Sequence, residues 1–244
     1  MLNKTVLVTG ASGEIGSAIA LLLAENNYHL ILQYNENKEN INRIKEECLR
    51  YKICVELIQA DLALEDGINK LFSEIKELNL YPTILINSAG ISAYGLIQDV
   101  TYNDYQKVIN ANLNSTFFCS QQILPYMLKE RFGRIINISS VWGNVGAANE
   151  VLYSTTKGAI NTFTKALAKE LAPSGITVNA IAPGVVMSSM MANFSKDEIE
   201  ALLMEMPMKR FANTEEIAQA VLYLVGPNAA YVTGQILTID GGWI

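Results

Sequence analysis

Ser140, Tyr153 and Lys157 are the side chains of this sequence whose types and spacing could move a proton. Tyr153 and Lys157 stand four residues apart, so on a helix they lie one above the other on the same face. A phenol with its ordinary pKa of about 10 is a poor donor near neutrality. An ammonium one turn away favours the phenolate and lowers that pKa, which makes a tyrosine a usable general acid. Ser140 follows an apolar run, Arg134 to Ile138, that reads as a strand. Its hydroxyl is therefore expected at the edge of an open sheet, where it could hold a carbonyl oxygen while Tyr153 protonates it. A Tyr-x-x-x-Lys pair alone would equally suit an ordinary helix start; the strand-end serine is what sharpens the pattern. Glu150 lies three residues before Tyr153, one helical turn away. An acid there can serve the helix dipole, or, beside a substrate mouth, attract a cationic group on the substrate.

These residues need a scaffold, and the rest of the chain reads as alternating strands and helices. Thr5 to Thr9 is a short β-branched run, followed by Gly10-Ala-Ser12-Gly13-Glu14-Ile15-Gly16 and a helical pattern to about Asn26. Strand, glycine turn and helix in that order make a dinucleotide-binding start: glycines let the backbone approach a pyrophosphate, and the helix N-terminus faces its charge. Leu30 to Gln33 is a second strand and Asn40 to Arg50 an amphipathic helix. Val55 to Ala60 is a third strand ending at Asp61-Leu62, and Glu65 to Leu78 another helix. Thr83 to Ile86 is an apolar strand closing in Asn87-Ser88-Ala89-Gly90. Asn103 to Arg131 reads as one long helix, broken late by Pro125. Ile176 to Ile181 is a sixth strand leading into Pro183-Gly184-Val185-Val186-Met187-Ser188. Thr214 to Val225 opens with the acidic first turn of a helix, and Gln235 to Ile239 is a last strand. Apolar strands alternating with helices predict a parallel sheet covered on both faces. No repeat or linker suggests a division, so residues 1–244 are expected to form a single doubly wound Rossmann domain with a seven-stranded, mostly parallel sheet. The methionine-rich stretch 187–208 suits either ordinary packing or a lid over the substrate.

The Ser140, Tyr153-x-x-x-Lys157 constellation, with Asn112 upstream, resembles the short-chain dehydrogenase/reductase family over essentially the whole chain. The resemblance implies hydride transfer between a nicotinamide and a carbonyl carbon. It implies that Ser140 holds the carbonyl oxygen, Tyr153 donates the proton, Lys157 binds the nicotinamide ribose, and Asn112 supports a proton relay. Gly10, Ser12, Gly13, Ile15 and Gly16 would line the pyrophosphate, Asp61 and Leu62 the adenine, and Asn87, Ala89 and Gly90 the adjoining ribose. Pro183, Gly184 and Val186 would flank the nicotinamide, and Ser188 the pyrophosphate. Glu14 replaces the family's middle glycine, and its side chain is expected to turn outward. NAD-binding relatives carry an acid at the end of the second strand to hold the ribose 2′-hydroxyl. Tyr34 stands there instead, followed by Asn35, so NADP (NADPH) is expected, with NAD as the other candidate.

Within the family the chain resembles bacterial 3-oxoacyl-acyl-carrier-protein reductases, although only Arg131 matches their two carrier-docking arginines and Ser174 stands at the second place. Two stretches, Ser88 to Thr101 and Val141 to Ala159, resemble more closely the reductases acting on 5-aminopentanone attached to elongation factor P. Both readings imply a ketone on a protein-borne tether, and a homotetramer. A small-molecule ketone or alcohol dehydrogenase is the alternative. A non-catalytic dinucleotide sensor would not need Ser140, Tyr153 and Lys157 together.

Composition excludes other classes. Half of the 244 residues are apolar and the net charge is −6, with no basic arm for nucleic acid. Three cysteines and one histidine form no metal or disulfide spacing. No apolar run approaches a membrane span, and no charged-then-apolar leader precedes the first strand. A cytoplasmic protein is expected.

Overall fold

The computed structural model describes residues 4–187 and 195–244. Seven strands, β1 (Thr5–Thr9), β2 (His29–Tyr34), β3 (Val55–Gln59), β4 (Ile84–Asn87), β5 (Gly133–Ile138), β6 (Ile176–Pro183) and β7 (Ile236–Ile239), form one sheet. Its order is β3-β2-β1-β4-β5-β6-β7, and every pairing is parallel. The order reverses between β1 and β4, so a crevice opens at the carboxyl ends of those two strands. This is a doubly wound Rossmann architecture.

Side chains alternate across the pleat and so divide the core in two. Val6, Val8, Leu30, Leu32, Ile84, Ile86 and Ile136 meet α1 (Glu14–Glu25), α2 (Lys38–Leu49) and α9 (Thr214–Val225). Leu7, Ile31, Leu85, Ile135 and Val178 face the other way, against α3 (Glu65–Glu77) and α5 (Ser115–Glu130). Because both faces are covered, β5 and β6 are buried along their full length. Each fully buried aliphatic side chain contributes about 1.5–3 kcal/mol.

The expected long helix 103–131 is interrupted, but not at Pro125. α4 (Tyr102–Ile109) passes through one π-turn, Asn110–Asn114, into α5, which continues through Pro125 to Glu130. Pro125 lies on the exposed side, and the carbonyl it releases belongs to exposed Gln121, where water can satisfy it. The π-turn carries Asn112, buried at its centre. Single π-turns of this kind gather at functional positions.

Beyond β5 the chain makes the short helix α6 (Trp142–Val145) and the long α7 (Val151–Leu171). Of the segment 187–208, residues 188–194, Ser188 among them, lie outside the described residues. Within the remainder lies α8 (Lys196–Glu205), opened by a capping box between Ser195 and Glu198.

Candidate active site

The carboxyl ends of β1, β4, β5 and β6 surround a cavity of about 350 Å³. Its inner wall holds Ser140, Tyr153 and Lys157; Gly10, Gly13, Ile15 and Gly16 form one side, and Pro183, Gly184 and Val186 the other. Ser140 is the second residue beyond β5, and its Oγ accepts the Trp142 N–H at 3.2 Å. α7 brings Tyr153 into hydrogen-bonding contact with Ser140. The neighbouring Ser139 fastens the strand end to α7, donating to Asn161 Oδ1 at 2.6 Å. Gly143 lets α6 lie on the same helix: a Cβ there would stand 2.7 Å from the Lys157 carbonyl carbon.

Lys157 is buried, and its Nζ donates to the Ile138 carbonyl at 2.8 Å. Burial lowers its pKa to about 8. Burial pushes the Tyr153 phenol up to about 12; the bond with Ser140 opposes this and the Glu150 carboxylate adds to it. The acidification expected from Lys157 therefore does not govern this phenol. Nζ lies 5.4 Å from the ring centroid, and desolvation outweighs it. The phenol is protonated at neutral pH and, with the cavity as it stands, holds its proton more tightly than an ordinary tyrosine.

Asn112 does more than its sequence position implied. Its Oδ1 accepts the Ile91 N–H at 2.7 Å, while Nδ2 donates to the Ile91 carbonyl at 2.9 Å and to Thr156 Oγ1 at 3.1 Å. The side chain thus pairs with the backbone after β4 as a strand neighbour would. Thr156 passes the link on, donating to the Tyr153 carbonyl at 2.7 Å.

The glycine loop leaves room for a close-lying anion. Gly10 has φ of 62°, and a Cβ there would fall 2.7 Å from Ala89 Cα; one on Gly16 would collide with the Gly10 carbonyl. Gly13 caps α1 without a side chain, which leaves first-turn N–H groups facing the crevice with the helix dipole behind them. The loop is fastened from beneath. Gln33 accepts the Gly10 N–H at 2.8 Å and donates to the Ala60 carbonyl at 2.7 Å, and Asn40 donates to the Ser12 carbonyl at 2.7 Å. Thr9 Oγ1 receives the N–H groups of Ser88 and Ala89. Glu14, expected to turn outward, is exposed yet contributes to the cavity's lining.

Of the other cofactor residues expected from the sequence, Gly90 lines this cavity and several do not. Tyr34 is buried in the core with Ile41 and Ile44 of α2 and does not line the cavity. Asn35 is exposed beyond it. Asn87 turns into the core, donating to Ser120 Oγ at 3.1 Å and Asn137 Oδ1 at 2.9 Å, so its amide ties β4 to α5 and β5. Asp61 accepts the Ala63 N–H at 3.0 Å, and the Leu62 side chain is buried in the second core cluster. Gly90 lines the cavity, and a Cβ on it would lie 3.1 Å from Asn112 Oδ1 and 3.7 Å from Lys157 Nζ.

Glu150 lies at the cavity wall, half-buried, with its pKa raised by burial and held down by a hydrogen bond from Trp142. Trp142 meets Trp243 edge to face, centroids 5.0 Å apart, and both line the cavity. Sequence reading did not single out either tryptophan or Gln33. The tryptophans lie about a hundred residues apart, and no linear spacing shows that they meet.

Comparison with known proteins adds to this geometry. The family model described as Enoyl-(Acyl carrier protein) reductase matches residues 10–244. The chain is 44% identical over 243 residues to the uncharacterized oxidoreductase YmfI of Bacillus subtilis, covering 99% of each. It is 39% identical over 241 residues to the 3-oxoacyl-[acyl-carrier-protein] reductase FabG of Aquifex aeolicus, covering 98% of this chain and 97% of that one. The crystal structure of acetoin dehydrogenase YohF from Salmonella typhimurium superposes with a TM-score of 0.90 at 28% identity, covering 99% and 97% of the two chains.

Proposed function

The chain belongs to the short-chain dehydrogenase/reductase family, nicotinamide-dinucleotide oxidoreductases, and on that premise we propose that it reduces a ketone to a secondary alcohol on a substrate tethered to a protein. The observation that carries this reading is the meeting of Ser140, Tyr153 and Lys157 in one cavity beside a glycine loop. The loop's orphan N–H groups, and the absence of room for a Cβ at Gly10 and Gly16, fit a dinucleotide. Gly10 to Gly16 would hold its pyrophosphate, and Pro183, Gly184 and Val186 its nicotinamide end. When bound, that group supplies the hydride.

The chain's own residues do the rest. Ser140 holds the substrate's carbonyl oxygen, and the Tyr153 phenol delivers its proton there. Donors fixed where negative charge develops stabilise it most in a site that excludes water. Lys157, protonated below about pH 8, keeps a positive charge near the phenolate left behind. Asn112 acts through Ile91 and Thr156, holding the cavity wall and α7 in register. We read the cofactor as NADPH, because Tyr34 leaves no carboxylate to repel a 2′-phosphate. A cytoplasmic location agrees with three free cysteines, two of them buried. Among the described residues no helix is long and apolar enough to cross a membrane.

Two carriers remain in view. Relatives named 3-oxoacyl-[acyl-carrier-protein] reductase support an acyl carrier. Glu150 in the cavity wall favours an amino-ketone on elongation factor P, since a carboxylate gains nothing from an acyl chain. Steady NADPH oxidation with a 3-oxoacyl thioester and with an amino-ketone tests the reading. Tyr153→Phe should lower turnover at least a hundredfold, the usual scale for a general acid, with cofactor affinity retained. Near-normal turnover in that variant would sink the assignment.

A further inference from the structure

Leu30, Val6, Ile84, Arg134 and Thr177 stand side by side across five strands, toward the amino end of the sheet. Strand neighbours in register point to the same face, so these side chains form one row on the side of α1 and α9. Leu30, Val6 and Ile84 belong to the first core cluster. There the row changes character. Arg134 and Thr177 are only 5% and 6% exposed, yet Arg134 Nε and Thr177 Oγ1 have no hydrogen-bond partner among the described residues. Both groups can donate, and they sit on adjacent strands in direct register.

The Arg134 guanidinium is permanently charged, and no acid answers it. Among the described residues the ion pairs join Arg43 to Glu47, Lys70 to Glu74 and Arg210 to Glu216. Nη1 donates to the Gly133 carbonyl at 2.8 Å, and Cζ lies 4.5 Å from the Phe132 ring centroid. The same ring carries a second cation, for Lys4 Nζ lies 3.8 Å from its centroid. A ring face offsets part of a cation's charge, but two cations on one ring still repel each other. Burial lowers the Lys4 pKa, and the Arg134 charge lowers it further. Burial raises the pKa of the Tyr28 phenol, and the Arg134 charge pulls it back. Lys4, Tyr28 and Phe132 are each partly exposed, so solvent reaches this foot of the sheet.

A buried charge needs both hydrogen bonds and an opposite charge. A water molecule would supply the first alone; an anion supplies both. The donors lie beside core aliphatics, so a ligand must shed its hydration to meet them. That favours a compact, weakly hydrated anion over sulfate or phosphate. We infer that Arg134 and Thr177, with Lys4 beside them, bind a small inorganic anion of halide size at the foot of the sheet. This site lies at the opposite end of the strands from the catalytic cavity and does not depend on the reductase reading.

Bromide is the direct probe. In crystals of the full chain soaked in bromide, its anomalous scattering should appear within hydrogen-bonding reach of Arg134 Nε and Thr177 Oγ1. In solution, chloride replacing gluconate at constant ionic strength should raise the Tm saturably. The rise should be roughly 3–6 °C at ten times the half-saturating concentration. Thr177→Val keeps the shape and removes one donor, and should raise that concentration roughly tenfold. Lys4→Gln should raise it roughly two- to fivefold. Arg134→Met should abolish the response; if that variant does not fold, the other two and the bromide map decide. A water refined between the two donors, or bromide found only elsewhere, overturns the site. So does an equal Tm in chloride and gluconate, or a chloride response that is unchanged in Thr177→Val and Lys4→Gln.

Discussion

Replacing Asn112 by alanine tests whether this side chain is a structural pin. The change removes three hydrogen bonds, two to the Ile91 backbone and one to Thr156. Ile91 is only partly buried, so water can reach its N–H and carbonyl, and each lost bond there costs about 0.5–1.5 kcal/mol. Thr156 keeps its bond to the Tyr153 carbonyl but loses a buried donor, for about 1–3 kcal/mol more. The sum is about 2–6 kcal/mol, which for a chain of this size lowers the Tm by roughly 4–24 °C. Asn112→Asp is the sharper variant. It keeps an acceptor for the Ile91 N–H but turns an oxygen toward two other acceptors and places a charge in a fully buried position. It should be less stable than wild type at neutral pH and recover at low pH, where a protonated carboxyl can donate again. Calorimetry gives the Tm, and amide hydrogen exchange at Ile91 reports the pin directly. An alanine variant with wild-type Tm and unchanged Ile91 protection would refute the reasoning.

Lys157, with a pKa of about 8 against an ordinary 10.5, makes reduction pH-dependent: kcat/KM should fall as pH rises through about 8. Stability should move the other way, rising with pH between about 8 and 10.5, because there the unfolded chain binds more protons. Lys157→Met should therefore raise the Tm at pH 7 by removing a penalty of about 3 kcal/mol; a lower Tm would contradict it. For the cofactor, kcat/KM should favour NADPH over NADH, and equal or better use of NADH would overturn that expectation. Light scattering at micromolar concentration should report a tetramer; Phe117 and Phe118, both exposed on α5 and in ring contact with each other, with Phe163 packed against Phe117, offer a surface for it, and a monomer would contradict it.

Much of this was legible because it is local. A parallel strand buried on both faces writes an unbroken apolar run, so the seven strands stand within a few residues of their expected places. A residue pair one helical turn apart, after a strand-end serine, likewise survives being read in one dimension. Side-chain direction does not. Gln33 and Tyr34 must point to opposite faces, but only the packing of Ile41 and Ile44 decides that Tyr34 is the one in the core. Asn87 is expected beside a cofactor only by family resemblance, and its sequence position does not show that its amide bonds Ser120 and Asn137, both distant in sequence. Pro125 looked like the break in its helix because proline removes a donor; exposure made that loss cheap. The π-turn at Asn112 has no periodic signature, being one extra residue settled by contacts across the site.

The fastening of the glycine loop bears on how a dinucleotide arrives and leaves. With Gly10, Ser12 and the Thr9 hydroxyl bonded to Gln33, Asn40 and the Ser88–Ala89 backbone, the backbone around the loop is held in place by the chain's own side chains. Little ordering is left to oppose binding. Capture is then governed by diffusion into a formed crevice, and discrimination between similar nucleotides falls to residence time, since a rigid cradle distinguishes them by how fast each departs.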